Sequence, residues 1–220
     1  MLESSLDTSI VKKPWGYEYL YYQNDFVGVW LLHLEKDHVT SMHCHPNKNT
    51  GLILLDGSVE VSFLTSSQIL TSPHKLMIRR GLFHSTKAIS DNGAFLFEIE
   101  APKDKRDLVR ISDSYGRAKT PYESSDQFYG NTCDFDLLDS NVNGDFKLSC
   151  SKHTFCLLRY VDLKDITHSP SCILVNLSGG LEADPSIYVY QPGDVVSGFT
   201  ANLLQSQFNY TPDTLVLRLT

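Results

Sequence analysis

MHCHPNKNTGLILLDGSVEV, residues Met42 to Val61, places two histidines one residue apart, then an apolar run, then an Asp-Gly turn. On a β-strand, residues i and i+2 share a face, so His43 and His45 project together while Cys44 points the other way. Two imidazoles on one rigid face can chelate a single ion. A third, His84, follows a glycine turn in RRGLFHSTKA. A barrel that brings these segments side by side supplies three nitrogen ligands and leaves positions open for water or substrate. His33 and His38 lack partners at such spacing and read as structural or exposed. His74 sits beside Pro73 and reads as a solvent-exposed loop residue. Cys44 reads as a packed thiol.

Outward from this stretch the period stays close to two. VGVWLLHL (Val27 to Leu34), GLILLDGSVEVSF (Gly51 to Phe63), KLMI (Lys75 to Ile78) and AFLFEIEA (Ala94 to Ala101) read as strands. Asn24-Asp25, Asp56-Gly57 and Asp91-Asn92-Gly93 supply the turns between them. Short strands with frequent turns and no long helical periodicity predict an all-β sandwich or barrel. After Arg117 the polar stretch AKTPYESSDQFYGN reads as a linker or a strap across the surface. β character resumes in FCLLRYVDL, SCILVNLSGGLEA, SIYVYQPGDVVSGF and DTLVLRLT. LILLDGSVEV resembles ILVNLSGGLEA, and MIRRGLFH is echoed by YVYQPGDVV, which points to an internal repeat. The second half carries only the isolated His153 and His168.

The chain has 220 residues, 41% of them hydrophobic and 20% charged, enough to bury a sizeable core. A formal net charge of −7 argues against a general binder of nucleic acid or anionic membrane. No apolar run approaches the ~20 residues of a membrane-spanning helix. The N-terminus has no basic start leading into an apolar stretch, and the five cysteines contain no CxxC pair. Reduced thiols in a cytoplasm are therefore the expectation.

The His-x-His spacing, Gly57 and His84 resemble the two motifs of the cupin superfamily, with Thr50 standing where that family has a glutamate. KPWGYE (Lys13 to Glu18), TSMHCHPNKNT (Thr40 to Thr50), FEIEAP (Phe97 to Pro102) and RDLVRISDSYGR (Arg106 to Arg117) are similar to motifs of the type II mannose-6-phosphate isomerase cupin domain, in the same order. His43 replaces that family's glutamine, Lys48 its arginine and Thr50 its glutamate. The resemblance spans about residues 11–117. It implies a cupin jelly-roll barrel over 1–117; with the polar stretch and the repeat pattern that follow, the chain reads as all-β, with a linker over 118–130 and a smaller, degenerate cupin-like β domain over 131–220.

The resemblance further implies a divalent transition metal (Zn, Fe, Ni or Mn) on His43, His45 and His84. Loss of the glutamate removes an anionic ligand, and a three-histidine set still suits such metals. Glu100 and Lys48 are the candidate catalytic residues, with Glu98 on the same strand face as Glu100. Arg79, Lys87 and Arg110 are candidates for holding a phosphate or sugar acid. Trp15 and Tyr17 are read either as a stacking surface for a sugar or as packing over a barrel end. The expected partner is a small molecule, a phosphorylated or nucleotide-linked sugar, and cupin precedent implies a homodimer. An aldose–ketose isomerase fits these residues best. A three-His Fe(II) dioxygenase and a non-catalytic sugar-binding module stand as alternatives.

Overall fold

The computed structural model describes residues 10–117, 127–128, 137–163 and 166–220. Linker positions 118–126 and 129–130, and residues 131–136 with Cys133, lie outside them. The first half contains β1 (Ile10–Lys13), β2 (Gly16–Gln23), β3 (Gly28–Leu34), β4 (Met42–Cys44), β5 (Asn49–Asp56), β6 (Ser58–Phe63), β7 (Ser67–Thr71), β8 (His74–Ile78), β9 (His84–Ala88), β10 (Ala94–Ala101) and β11 (Val109–Ser112). The short β12 (Gln127–Phe128) lies in the segment read as a linker and pairs with β1. The second half contains β13 (Asp145–Lys147), β14 (Thr154–Arg159), α1 (Tyr160–Leu163), β15 (Ile173–Ser178), β16 (Leu181–Asp184), β17 (Ile187–Tyr190), β18 (Val195–Ser197), α2 (Gly198–Gln205), β19 (Asn209–Tyr210) and β20 (Leu215–Leu219).

The first half is a jelly roll of two antiparallel sheets, ordered β12-β1-β2-β3-β10-β5-β8 and β11-β4-β9-β6-β7. The second half repeats this plan in reduced form. Its five-stranded sheet, β13-β14-β20-β15-β18, matches β2-β3-β10-β5-β8 strand for strand, and its three-stranded sheet, β17-β16-β19, matches β7-β6-β9. Counterparts of β4 and β11 are missing among the described residues. Where the first half has β4, the second has α1 and irregular chain. Where the first half turns through RRGLF, the second has α2, whose Ser197 side chain caps the helix by accepting from the Thr200 amide. Both helices depart from the strand-only reading of FCLLRYVDL and SIYVYQPGDVVSGF.

The two apolar runs owe their unbroken character to burial on both faces. Leu52 and Leu54 of β5 point into the first barrel, while Ile53 and Leu55 join a second cluster. Leu174 of β15 points into the second barrel, while Ile173, Val175 and Leu177 join that same cluster. The two large sheets thus pack face to face, with Phe97, Tyr21 and Val29 from one half meeting Phe155, Leu157 and Leu217 from the other. Sheet-on-sheet packing of this kind leaves one end of the first barrel free to carry a site.

Candidate metal centre

β4 pairs with β9 with His43 opposite His84, and His45 follows one residue beyond β4. Ring centroids lie 4.9 Å apart for His43–His45, 4.4 Å for His43–His84 and 5.6 Å for His45–His84. One ligand nitrogen from each ring falls within 4.8 Å of the others, and this is the one such group of metal-ligating side chains among the described residues. Each Nδ1 faces a main-chain carbonyl: Ser41 at 2.8 Å from His43, Asp107 at 2.6 Å from His45 and Leu82 at 3.0 Å from His84. A carbonyl only accepts, so each Nδ1 carries the proton and donates, leaving Nε2 as the free lone pair. Nε2 of His45 is buried with no hydrogen-bond partner.

Burial holds all three imidazoles neutral. It is the main cause that drives His43 well below its ordinary value, and the positive charges of His84 and His45 would add to the effect. His45 is lowered to about 3, by burial and then by Lys48. His84 is lowered mainly by burial. Neutral rings with ligand nitrogens within 4.8 Å of one another fit a divalent transition metal, because no proton must be displaced before ligation.

Thr50 is fully buried on β5, its hydroxyl oxygen unpaired, and its cross-strand neighbour on β10 is Glu100. Thr50 therefore has a carboxylate one strand away. Glu100 is committed elsewhere: its Oε1 accepts from Lys48 Nζ at 2.6 Å and lies 3.2 Å from Lys105 Nζ. Lys48 and Glu100 are both about 1% exposed. Lys105 also lies 3.6 Å from Glu18 and 3.7 Å from Glu98, and its ammonium sits 4.0 Å from the Trp30 ring centroid. Glu18 in turn faces Lys13 at 3.7 Å. A cavity of about 60 Å³ is lined by His43 and His45, by this ionic network and by Ser41, Arg110 and Arg117. Arg110 is the register partner of His43, and its Nε donates to Ser41 Oγ at 3.3 Å.

The structure brings His43, His45, His84, Lys48, Glu100 and Arg110 together and separates two other candidates from them. Lys87 is an odd number of positions from His84 on β9, so it leaves by the opposite face and lies 3.6 Å from Asp37. Arg79 follows β8 at an exposed position on the side of the second half, where its charge acts on Asp194. Neither lines the cavity. Trp15 is buried and lines it, whereas Tyr17 packs against His33 in a tilted ring contact at 5.1 Å. Sequence reading missed Glu18, Lys105, Asp107 and Arg117. Glu18, Asp107 and Arg117 lay inside the quoted motifs, but Lys105 and Asp107 belong to a charged loop, PKDKRD, with no periodicity to direct their side chains.

No protein-family model matches the chain, and no curated protein matches it. Among solved structures, the chain is similar to KdgF from Halomonas sp. at 12% identity, over 42% of this chain and 84% of that one, with a TM-score of 0.40. It is similar to the Cnp3 cupin domain of Schizosaccharomyces pombe at 12% identity, over 46% and 67%, with a TM-score of 0.37. A putative sugar phosphate isomerase from Acidithiobacillus ferrooxidans matches at 15% identity, over 36% and 52%, with a TM-score of 0.34.

Proposed function

We propose that the first barrel is a metal-dependent site for an anionic sugar, acting as an aldose–ketose isomerase of the kind its mannose-6-phosphate-isomerase-like motifs suggest. The observation that carries this reading is a trio of imidazole ligand nitrogens within 4.8 Å of one another, beside a cavity lined by Arg110 of the smaller sheet and Glu98 of the larger one. His43, His45 and His84 would hold a divalent ion, which when bound would supply Lewis-acid polarisation of a carbonyl and its neighbouring hydroxyl. Arg110 offers planar donors for a phosphate or carboxylate, whereas Arg117, which also lines the cavity, is paired with Asp113 at 2.7 Å. Glu98 takes the role of base moving a proton between adjacent carbons. It lines the cavity at 14% side-chain exposure with one long ion pair, whereas Glu100 is sealed between two lysines. Lys48 holds Glu100 and the loop above it.

Proton NMR in D2O on mannose 6-phosphate and related sugar phosphates tests this directly. Loaded wild-type protein is expected to exchange the C2 proton, and His84→Ala to abolish the exchange. No exchange across the panel with Zn, Fe, Ni and Mn overturns the isomerase reading.

A three-His Fe(II) dioxygenase is the second reading, favoured by Thr50, which leaves the ligand set uncharged. Substrate-dependent oxygen uptake by the iron-loaded protein on small thiols and diketones would establish it. Absence of uptake across both classes dismisses it.

A further inference from the structure

Two of the three histidines are oriented locally. His43 and His84 each donate to a carbonyl two residues earlier in their own strand segment. His45 is different: its Nδ1 donates to the carbonyl of Asp107, 62 residues along the chain. That carbonyl is held in place by its own side chain. Asp107 Oδ2 accepts from the amides of Asn47 at 2.9 Å and Lys48 at 3.0 Å, and Oδ1 accepts from Asn47 Nδ2 at 2.9 Å. One residue therefore grips the ring of His45 by its main chain and the turn immediately after His45 by its carboxylate.

The loop that carries Asp107 is stitched to the site a second time. Lys48 Nζ donates to the Asp104 carbonyl at 2.9 Å, and Lys105 reaches the buried carboxylates of Glu18 and Glu100 and the partly exposed one of Glu98. Within the loop, Asp104 Oδ1 accepts from the Arg106 amide at 2.9 Å, and the Asp107 amide donates to the Asp104 carbonyl at 3.2 Å. Asp107 does not line the cavity.

We infer that Asp107 is the positioning residue of the metal centre, fixing His45 for ligation and coupling ion binding to docking of the 102–108 loop over the barrel mouth. This rests on the three-histidine metal reading and assigns a role that neither the motifs nor the ligand set reveals. Without the carboxylate, the loop loses three bonds to the turn after His45, and the carbonyl that sets the ring's tautomer and angle drifts with it. Groups that orient a metal-ligating histidine typically contribute about 10–100-fold to metal affinity.

The test is titration of the full chain with Zn²⁺ by calorimetry and with Co²⁺ by visible absorption. Wild type, Asp107→Ala, Asp107→Asn and Arg106→Ala are compared. Asp107→Ala is expected to bind about 10–100-fold more weakly and to show an altered Co²⁺ spectrum. Asp107→Asn, which keeps one acceptor oxygen, falls between it and wild type. Arg106→Ala, at a side chain 92% exposed, matches wild type. Ion addition also slows tryptic cleavage after Arg106 in wild type and fails to do so in Asp107→Ala. A wild-type chain that binds neither ion overturns the metal reading and this inference together. Binding by wild type with equal affinity and spectrum in Asp107→Ala overturns the inference alone. Should Asp107→Ala fail to fold, an Asp107→Asn affinity equal to wild type overturns it.

Discussion

At the scale of single residues, chemistry at the barrel mouth divides between neutral rings and a buried ionic network. Lys48 and Glu100 are sealed together at 2.6 Å. Removing one member of such a pair leaves an uncompensated charge, so Glu100→Ala is expected to destabilise by about 3–5 kcal/mol in chemical denaturation. The double variant Lys48→Met/Glu100→Leu should recover most of that loss. If the single variant is neutral, the pair is not structurally important. Two buried imidazoles also make stability depend on pH. Burial is the main cause that lowers His45 to about 3 and His168 to about 4. In the unfolded chain both titrate near about 6.5. The unfolded state therefore binds more protons between these values, and stability falls as pH drops below about 6.5. Each such imidazole contributes up to about 1.4 kcal/mol per pH unit. Melting temperatures of the metal-free chain should decline steadily from pH 7 to pH 5, and a flat profile would contradict the assignment of neutral buried rings. The histidine triad was legible because i, i+2 spacing on a strand dictates a shared face. The network around it was not, since Glu18, Lys105 and Asp107 meet only through tertiary contact.

At the scale of elements, β5 and β15 explain both what the sequence pattern revealed and what it hid. LILL and ILVNL announce strands through β-branched and apolar character, yet their lack of alternation conceals that each faces two cores. Ile53→Ala, at a residue 1% exposed in the interface between the large sheets, is expected to cost about 2–5 kcal/mol. Urea unfolding reads this directly, and a cost below about 1 kcal/mol would mean that the sheet-on-sheet packing is loose. α2 escaped notice because eight residues beginning Gly-Phe-Thr carry little helical signal. The helix relies on its Ser197 cap and on Asn202, whose side chain donates to the His168 carbonyl and accepts from its amide. Ser197→Ala should therefore lose about 1 kcal/mol, and a Ser197→Asp variant should retain the cap. Equal stability of Ser197→Ala and wild type would contradict that role.

At the scale of the whole molecule, the repeat has been spent asymmetrically. Both halves keep the strand order of the large sheet, and that sheet forms their common core. The first half alone keeps β4 and a five-residue β9, the two strands that carry His43 and His84. In the second half the matching edge is a two-residue β19 beside α1 and α2, with His168 as its isolated histidine. The repeat was readable from LILLDGSVEV and ILVNLSGGLEA. The loss of the site was readable only as missing histidines, because nothing in the sequence foretold that helices would replace a strand and a turn. Among the described residues no helix is long and apolar enough to cross a membrane. This asymmetry makes stoichiometry the most direct test of the three-histidine centre. Calorimetric titration of the purified, metal-stripped chain with Zn²⁺ should give one ion per chain in wild type and none at the same site in His43→Ala or His84→Ala. No binding by wild type, or binding that survives both substitutions unchanged, would contradict the account.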